Sequence, residues 1–491
     1  MRENLPALLV VVPMLLAPVA ALVGRARAAW LVATAACWWA LYASFTLLRQ
    51  VMSEGVIRYA LGGWTAPYGI EYRIDLASAF VALIVATIGA VAIPYARLSV
   101  AREISEDRAP LFYAAFILSL TGLLGISITG DVFNVFVFLE VSSLSAYSMI
   151  ALWQDRRALT AAYQYLIMGT IGATFIVIGI GLMYVMTGTL NMADLAERLP
   201  AVADNRTIPV AFTFLTVGVT LKLALFPLHL WLPNAYTYAP SAVTAFMAST
   251  STKVSVYLLL RFFFTVFGFA FSFERMQLDM VLMPLALIAI LAMSAVAIYQ
   301  ANVKRLLAFS SVAQIGYMVL GISFGSVLGV TAGILHLFNH ALMKGALFMA
   351  MGCVMYRIGS VQLQKMAGLG KAMPWTMAAF VLSGLSLIGV PLTVGFVSKW
   401  YLVQAALEQG RWGVAGIVMV GSLMAVVYIW KVVEVAYFGE LDPDHEVKEA
   451  PLSLLVPTWA LVLASFWFGI DATGTAEVAT AAAETLLRGI P

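Results

Sequence analysis

The stretch Thr216–Pro233, TVGVTLKLALFPLHLWLP, has the length and apolarity of a bilayer-crossing segment, yet it carries a lysine, Lys222, near its middle. Five residues later stands Pro227, which removes a backbone donor and should break the helix. A lysine at the bilayer centre costs about 3 kcal/mol on insertion scales, so an intramembrane charge reads by default as functional. An interrupted helix at membrane depth is tolerated only where protein buries it or where it lines a wet cavity. Charge and break together point to an ion pathway.

Outward from this stretch, apolar runs of about twenty residues recur along nearly the whole chain of 491 residues, which is 62% hydrophobic and 11% charged. The expected fold is an all-α polytopic membrane protein with about 14 transmembrane helices. The ~10-residue apolar/polar alternation of a transmembrane barrel does not occur. Spans are expected at about 5–24, 29–48, 74–96, 110–128, 131–152, 163–186, 208–232, 241–264, 280–299, 306–324, 327–356, 375–407, 412–438 and 451–470. Segment 49–73 is too polar to cross and reads as an amphipathic interfacial cap; 440–449 reads as an acidic loop. These elements divide into an N-terminal three-helix segment (1–109), a core (110–438), and a C-terminal loop with the last helix (439–491). The first run lacks a basic flank, because Arg2 and Glu3 cancel, and reads as an uncleaved helix. Loops after odd-numbered spans hold more Lys and Arg, which places them inside the cell and both termini outside.

The formal net charge of +3 gives no argument for nucleic-acid binding. Cys37 and Cys353 sit inside apolar spans at a spacing that holds neither zinc nor an iron–sulfur cluster, so they read as small buried hydrophobes. No nucleotide-binding glycine fingerprint and no haem motif is present. No cofactor and no metal are expected.

A second span, 375–407, is also interrupted by proline, at Pro391, and also carries a lysine, Lys399. Lysine precedes proline in one span and follows it in the other, and the two spans stand five helices apart. Broken helices at matching positions of two five-helix units are the trace of an inverted repeat. Lys399 stands eight residues past Pro391, a helical rise of about 12 Å, so it is expected well beyond the break.

Lys222, Lys253, Lys344, Lys399 and Lys431 fall inside spans, with Glu140 mid-span in GDVFNVFVFLEVSSLSAYSMIAL. Each has a structural reading beside the functional one. Lys431 and Glu434, three apart near a span end, fit a local pair that snorkels. His229, between Pro227 and Pro233, fits a donor to freed carbonyls or a member of the pathway. His336, His340 and Lys344 are spaced by four and share one helix face. The histidines fit a polar relay, plain packing or a metal pair, but a neighbouring lysine opposes a cation. Asp75 and Asp131, at span ends, fit helix caps reached by water. Lys222, Lys253 and Lys399 outnumber the carboxylates available to pair them, which favours function; Glu140 is the expected partner of Lys222. Desolvation and a nearby carboxylate push a lysine's proton affinity in opposite directions, so a row of such groups suits proton transfer. Half-helix ends at Pro227 and Pro391 would organise water between them.

The stretches GDVFNVFVFLE, LKLALFPLHLWLPNAYTYAPSAVTAFMASTSTK, KRLLAFSSVAQIGYM, HLFNHALMKGALF and GVPLTVGFVSKW, together covering about 130–400, resemble the antiporter-like subunit family. That family is shared by respiratory complex I (subunits L, M and N), membrane-bound hydrogenases and multi-subunit Mrp-type cation/proton antiporters. The resemblance implies inverted repeats at helices four to eight and nine to thirteen. It implies a pathway of Glu140, Lys222, Lys253, His336, His340 and Lys399, with His229, Lys344, Pro227 and Pro391 as accessory positions. Lys399 departs from subunit M, which usually has glutamate there. Only about twenty residues follow the last span, too few for the lateral helix of subunit L. The segment GGWTAPYGIEYRID most resembles the D subunit of Mrp-type Na⁺/H⁺ antiporters.

The expected function is therefore a proton-conducting membrane subunit of a Mrp-type Na⁺/H⁺ antiporter, a secondary transporter rather than an enzyme. It would lie in the cell (inner) membrane with other subunits of a hetero-oligomeric complex. The alternative is a proton-pumping subunit of complex I or a membrane-bound hydrogenase. A purely structural subunit is the third reading, and removal of charge discriminates it.

Overall fold

The computed structural model describes residues 3–441 and 447–489, so half of the expected acidic loop, 442–446, lies outside the described residues. The chain begins with α1 (Leu5–Leu22) and α2 (Ala26–Glu54), then a hairpin of β1 (Ile57–Ala60) and β2 (Glu71–Ile74). The helices α3 (Leu76–Glu103), α4 (Ala109–Ile128), α5 (Val132–Ala151), α6 (Arg156–Thr187), the short α7 (Met192–Val202), α8 (Thr207–Lys222), α9 (Trp231–Tyr238) and α10 (Ser241–Leu260) follow. Next come α11 (Leu278–Ile298), α12 (Val303–Ser323), α13 (Val327–Ile358), the one-turn α14 (Leu369–Ala372), α15 (Pro374–Ile388), α16 (Val394–Glu408), α17 (Trp412–Phe438), α18 (Leu452–Ile470) and α19 (Thr473–Arg488). Among the described residues, twelve helices are long and apolar enough to cross a membrane. The broken pairs α8–α9 and α15–α16 supply two more crossings, giving the expected fourteen. The most enclosed crossings are α10 and α12, at the centre of the bundle.

Segment 49–73 does not cross, as expected: α2 continues to Glu54, Gly55 ends it at φ 86°, and an antiparallel hairpin pairs Ile57 with Ile74 and Ala60 with Glu71. Turn-forming Gly62, Gly63 and Pro67 separate the strands and forbid a helix through them. Beyond the last crossing, TGTAEVATAAAETLLR forms α19, which packs on α13 and α3.

The inverted repeat is written in the backbone. Asp131 bridges Asn191, and Asn302 bridges Gln362; the second pair lies 171 residues after the first (131 to 302, 191 to 362). The main-chain bonds match as well: Val132 N–H to Leu190 O at 2.9 Å and Met192 N–H to Gly130 O at 2.8 Å, against Val303 N–H to Val361 O at 2.9 Å and Leu363 N–H to Ala301 O at 2.8 Å. The helices α6 and α13 are both 32 residues long, and left-handed glycines, Gly188 and Gly359, end them. Five crossings separate the first bridge from the second, so the two lie on opposite membrane faces.

Asp75 and Asp131 are caps, as expected, accepting from Ser78 N–H at 3.0 Å and Asn134 N–H at 2.7 Å. They are not, however, bathed in water: both are buried. Asp75 also pairs with Arg261, which Tyr257 and Ser78 hold from the other side, so α3 and the end of α10 are tied by a buried network. Arg261 passed unnoticed in the sequence because it falls within an expected span and has no partner nearby in the chain. Removing one member of a buried ion pair leaves the other uncompensated, at about 3–5 kcal/mol. Asp75→Ala is therefore expected to lower the thermal midpoint and yield of the detergent-solubilised subunit, read by size-exclusion melting, with little loss in the Asp75→Ala/Arg261→Met double variant.

Candidate functional site

The first break starts earlier than Pro227 itself. The helix α8 stops at Lys222, because a proline at 227 excludes the helical carbonyl of Leu223 four residues before it. Ala224 then takes a left-handed conformation, φ 61°. The freed carbonyl of Leu221 accepts from the Trp231 indole at 3.0 Å, at the start of α9, and that indole stacks on Tyr165 at 4.0 Å. Lys222 therefore sits at the open end of a half-helix. Its Nζ lies 3.4 Å from Glu140 Oε1 and donates to Ser143 Oγ at 3.1 Å, both on α5. Lys222 is buried, whereas the Glu140 side chain is 23% exposed. A space of about 20 Å³ adjoins Lys222, walled by Ser142, Ser143, Tyr165 and, from α10, Ser251 and Ser255. That is room for about one water among several hydroxyls.

On α10, Lys253 is fully buried and donates to Ala248 O, with Thr252 Oγ1 at 3.4 Å. On α13, Lys344 donates to Leu307 O at 2.9 Å and to Ser310 Oγ, both on α12. His340 is buried one turn before Lys344, with neither ring nitrogen hydrogen-bonded within the described residues. It lies within electrostatic reach of Lys253 and Lys344, and 6.2 Å between ring centres from His336. The His336 ring is held at both nitrogens, by Ser398 Oγ at 2.8 Å and Gln314 Oε1 at 2.9 Å. Tyr317 stands 5.5 Å from His336, and Lys399 Nζ lies 5.0 Å over the Tyr317 ring. Buried polar groups thus stand on α5, α8, α10, α12, α13 and α16.

Lys399 does not lie beyond the second break as expected. The helix α16 begins only at Val394, and the lysine folds back to donate to Leu387 O at 3.0 Å and Ile388 O at 2.8 Å, the last carbonyls of α15. Only five helical residues, a rise of about 7.5 Å, separate Val394 from Lys399, and helical side chains lean toward the helix N-terminus, so the ammonium group returns to the break. Lys431 likewise does not pair with Glu434; it donates to Ile298 O at 2.9 Å and Gln300 O at 3.2 Å at the end of α11. Lys304, near the start of α12, is buried and donates to Ala239 O at 2.7 Å at the end of α9. For Lys304, Lys399 and Lys431 the shortage of carboxylates is resolved in this way: main-chain carbonyls at helix C-termini, the negative ends of helix dipoles, hold the ammonium groups. His229 is buried between Phe226 and Phe309, at 5.5 and 6.4 Å, apart from the row from Lys222 to Lys399. Ser143, Gln314, Tyr317 and Ser398 were missed in the sequence; their only signal was polarity in mid-span beside residues already singled out.

Residues 129–425 match the family described as NADH:quinone oxidoreductase/Mrp antiporter, TM. The chain belongs to this family. Among its relatives, NADH-quinone oxidoreductase subunit N of Desulforudis audaxviator is 42% identical, over 92% of this chain and 90% of that protein. The Na(+)/H(+) antiporter D subunit of Alkalihalophilus pseudofirmus is 30% identical, over 91% and 90%. In the Mrp complex from Dietzia sp., a chain 26% identical superposes with a TM-score of 0.90, covering 99% of this chain and 97% of that one. This family member is thus a multi-pass, antiporter-like membrane subunit.

Among the described residues, no cluster of three or more His, Cys, Asp and Glu side chains is arranged to hold a metal. His336→Ala and His340→Ala are each expected to slow ion exchange on the order of 10²-fold, as loss of a proton-transfer group does. Metal content of the purified complex, read by mass spectrometry, should not change. Stoichiometric zinc or iron that vanishes in either variant would overturn this assignment.

Proposed function

We propose that the chain is the proton-conducting membrane subunit of a Mrp-type Na⁺/H⁺ antiporter in the cell membrane. The carrying observation is the Glu140–Lys222 pair at a helix break, opening onto the buried series Lys253, His340, His336 and Lys399. Glu140 and Lys222 exchange a proton with the outside of the bundle. Movement of that proton shifts the charge felt by Lys253, and the histidines pass the disturbance to Lys399. Release of a proton from Lys399 frees the carbonyls of Leu387 and Ile388 and loosens the second break. The lysines act by holding and losing protons at Nζ, which explains why carbonyls, neutral partners, hold most of them.

Glu140 also supports a multi-subunit setting. It shares one face of α5 with the exposed Phe133, Val137 and Leu144. A carboxylate on a lipid-facing apolar stripe is costly, and a neighbouring subunit seated on that face removes it from lipid. The 42% identity to a protein called NADH-quinone oxidoreductase subunit N favours a second reading, a proton-pumping subunit of a redox complex. The complex isolated from native membranes and placed in proteoliposomes discriminates them. The first reading expects a Na⁺ gradient to drive proton movement without redox substrate. Proton movement that needs electron transfer, with iron–sulfur or flavin subunits in the preparation, supports the second.

A further inference from the structure

A half-open groove of about 450 Å³ runs between α6, α9 and α12, apart from the polar row. Its walls are largely apolar: Ile167, Met168, Leu230 and Phe309. Leu230 and Tyr163 are 69% and 63% exposed, so the groove opens sideways toward lipid. Its end lies on the face that the charge bias places inside the cell, where Arg305 lines it and Arg156 and Arg157 begin α6.

That end is built. Arg305 donates to Asn234 Oδ1 at 3.2 Å, and Asn234 Nδ2 donates to Gln164 Oε1 at 2.7 Å, linking α12, α9 and α6. Arg157 lies 5.0 Å over the Tyr238 ring. Asn234 and Tyr238 stand four residues apart on α9, so the two guanidinium groups flank one face of that helix. Asp155 pairs with Arg157 at 2.7 Å, and the guanidinium holds this carboxyl below the usual range. Arg156 and Arg305 have no carboxylate partner among the described residues. The rim therefore keeps net positive charge above an apolar trough. A cationic rim at the membrane interface and an apolar wall beneath it complement an anionic amphiphile.

We infer that this groove binds an anionic phospholipid, its phosphate at Arg305 and Arg157 and an acyl chain along Leu230, Ile167 and Phe309. Its occupant would buttress α9, whose Trp231 caps α8 beside Lys222, so binding also steadies the first break. The inference does not depend on which gradient drives the complex.

The test uses the complex purified in mild detergent from native membranes. Retained phosphatidylglycerol and cardiolipin are measured by lipid mass spectrometry, with a photo-crosslinking residue at position 230 as a second reading. Each basic side chain near an anionic headgroup is worth about a factor of five in binding. Arg157→Gln/Arg305→Gln should therefore lower anionic lipid retained per complex by roughly 25-fold, whereas Arg157→Lys/Arg305→Lys should keep most of it. The crosslink should go to phospholipid. Equal retention in the Gln pair, equal loss in the Lys pair, or a crosslink to a protein subunit overturns the inference, the last by assigning the groove to a partner chain.

Discussion

Glu140→Ala is expected to reduce cation/proton exchange in membrane vesicles to that of membranes lacking the subunit, while the complex still assembles. The side chain is partly exposed on α5 and makes one contact of consequence, to Lys222 at 3.4 Å, so its loss leaves no packing void in the core. What it removes is the only carboxylate among the described residues that pairs with a lysine of the row. Lys222 keeps Ser143 as an acceptor, and its ammonium group is not stranded. Glu140→Asp should retain part of the rate: the charge stays, but one methylene less lengthens a contact that is already long. Quenching of a pH-sensitive dye at neutral pH, at matched complex content, reads both variants. Exchange near wild type in Glu140→Ala would remove this pair from the pathway.

Lys399→Arg is expected to keep the fold and lose transport, on the order of 10²-fold, as removal of a proton-transfer group does. The geometry makes the swap informative. Lys399 donates to two carbonyls at the end of α15, and a guanidinium offers donors of the same sign to the same acceptors. A cation that only caps the half-helix is therefore replaceable. A cation that must release its proton is not, because arginine stays protonated. Wild-type exchange in Lys399→Arg, at equal expression, would leave Lys399 as a helix cap alone.

Much of the architecture was legible because membrane crossings announce themselves by length and apolarity. The broken crossings were legible because proline and lysine at bilayer depth each demand explanation, and the pair Lys222–Pro227 has its counterpart in Lys399–Pro391. Charge partners were less legible. Glu140 and Lys222 are opposite charges within neighbouring apolar spans, and their pairing follows. Lys304, Lys399 and Lys431 take main-chain carbonyls at helix ends, and a carbonyl leaves no mark in a sequence. Arg261 and Asp75, 186 residues apart, needed the packing of α3 on α10 to meet. The β1–β2 hairpin was missed because its strands are only four residues long, and α19 because its alternating alanine and polar residues lack the apolarity of a crossing. The matching bridges at Asp131–Asn191 and Asn302–Gln362 show how far the repeat is kept in backbone where the side chains have diverged.

The central claim is that one row of protonatable groups runs from Glu140 to Lys399, and Lys253 is the residue that joins its halves. It is fully buried, with only Ala248 O and Thr252 as hydrogen-bond acceptors. Replacing such a buried charge by an apolar residue of similar volume is often neutral or stabilising, so Lys253→Met should assemble at least as well as wild type. The decisive measurement is proton flux in proteoliposomes that hold the complete complex with Lys253→Met. A flux at background with normal assembly is the predicted result; a flux equal to wild type would contradict the row.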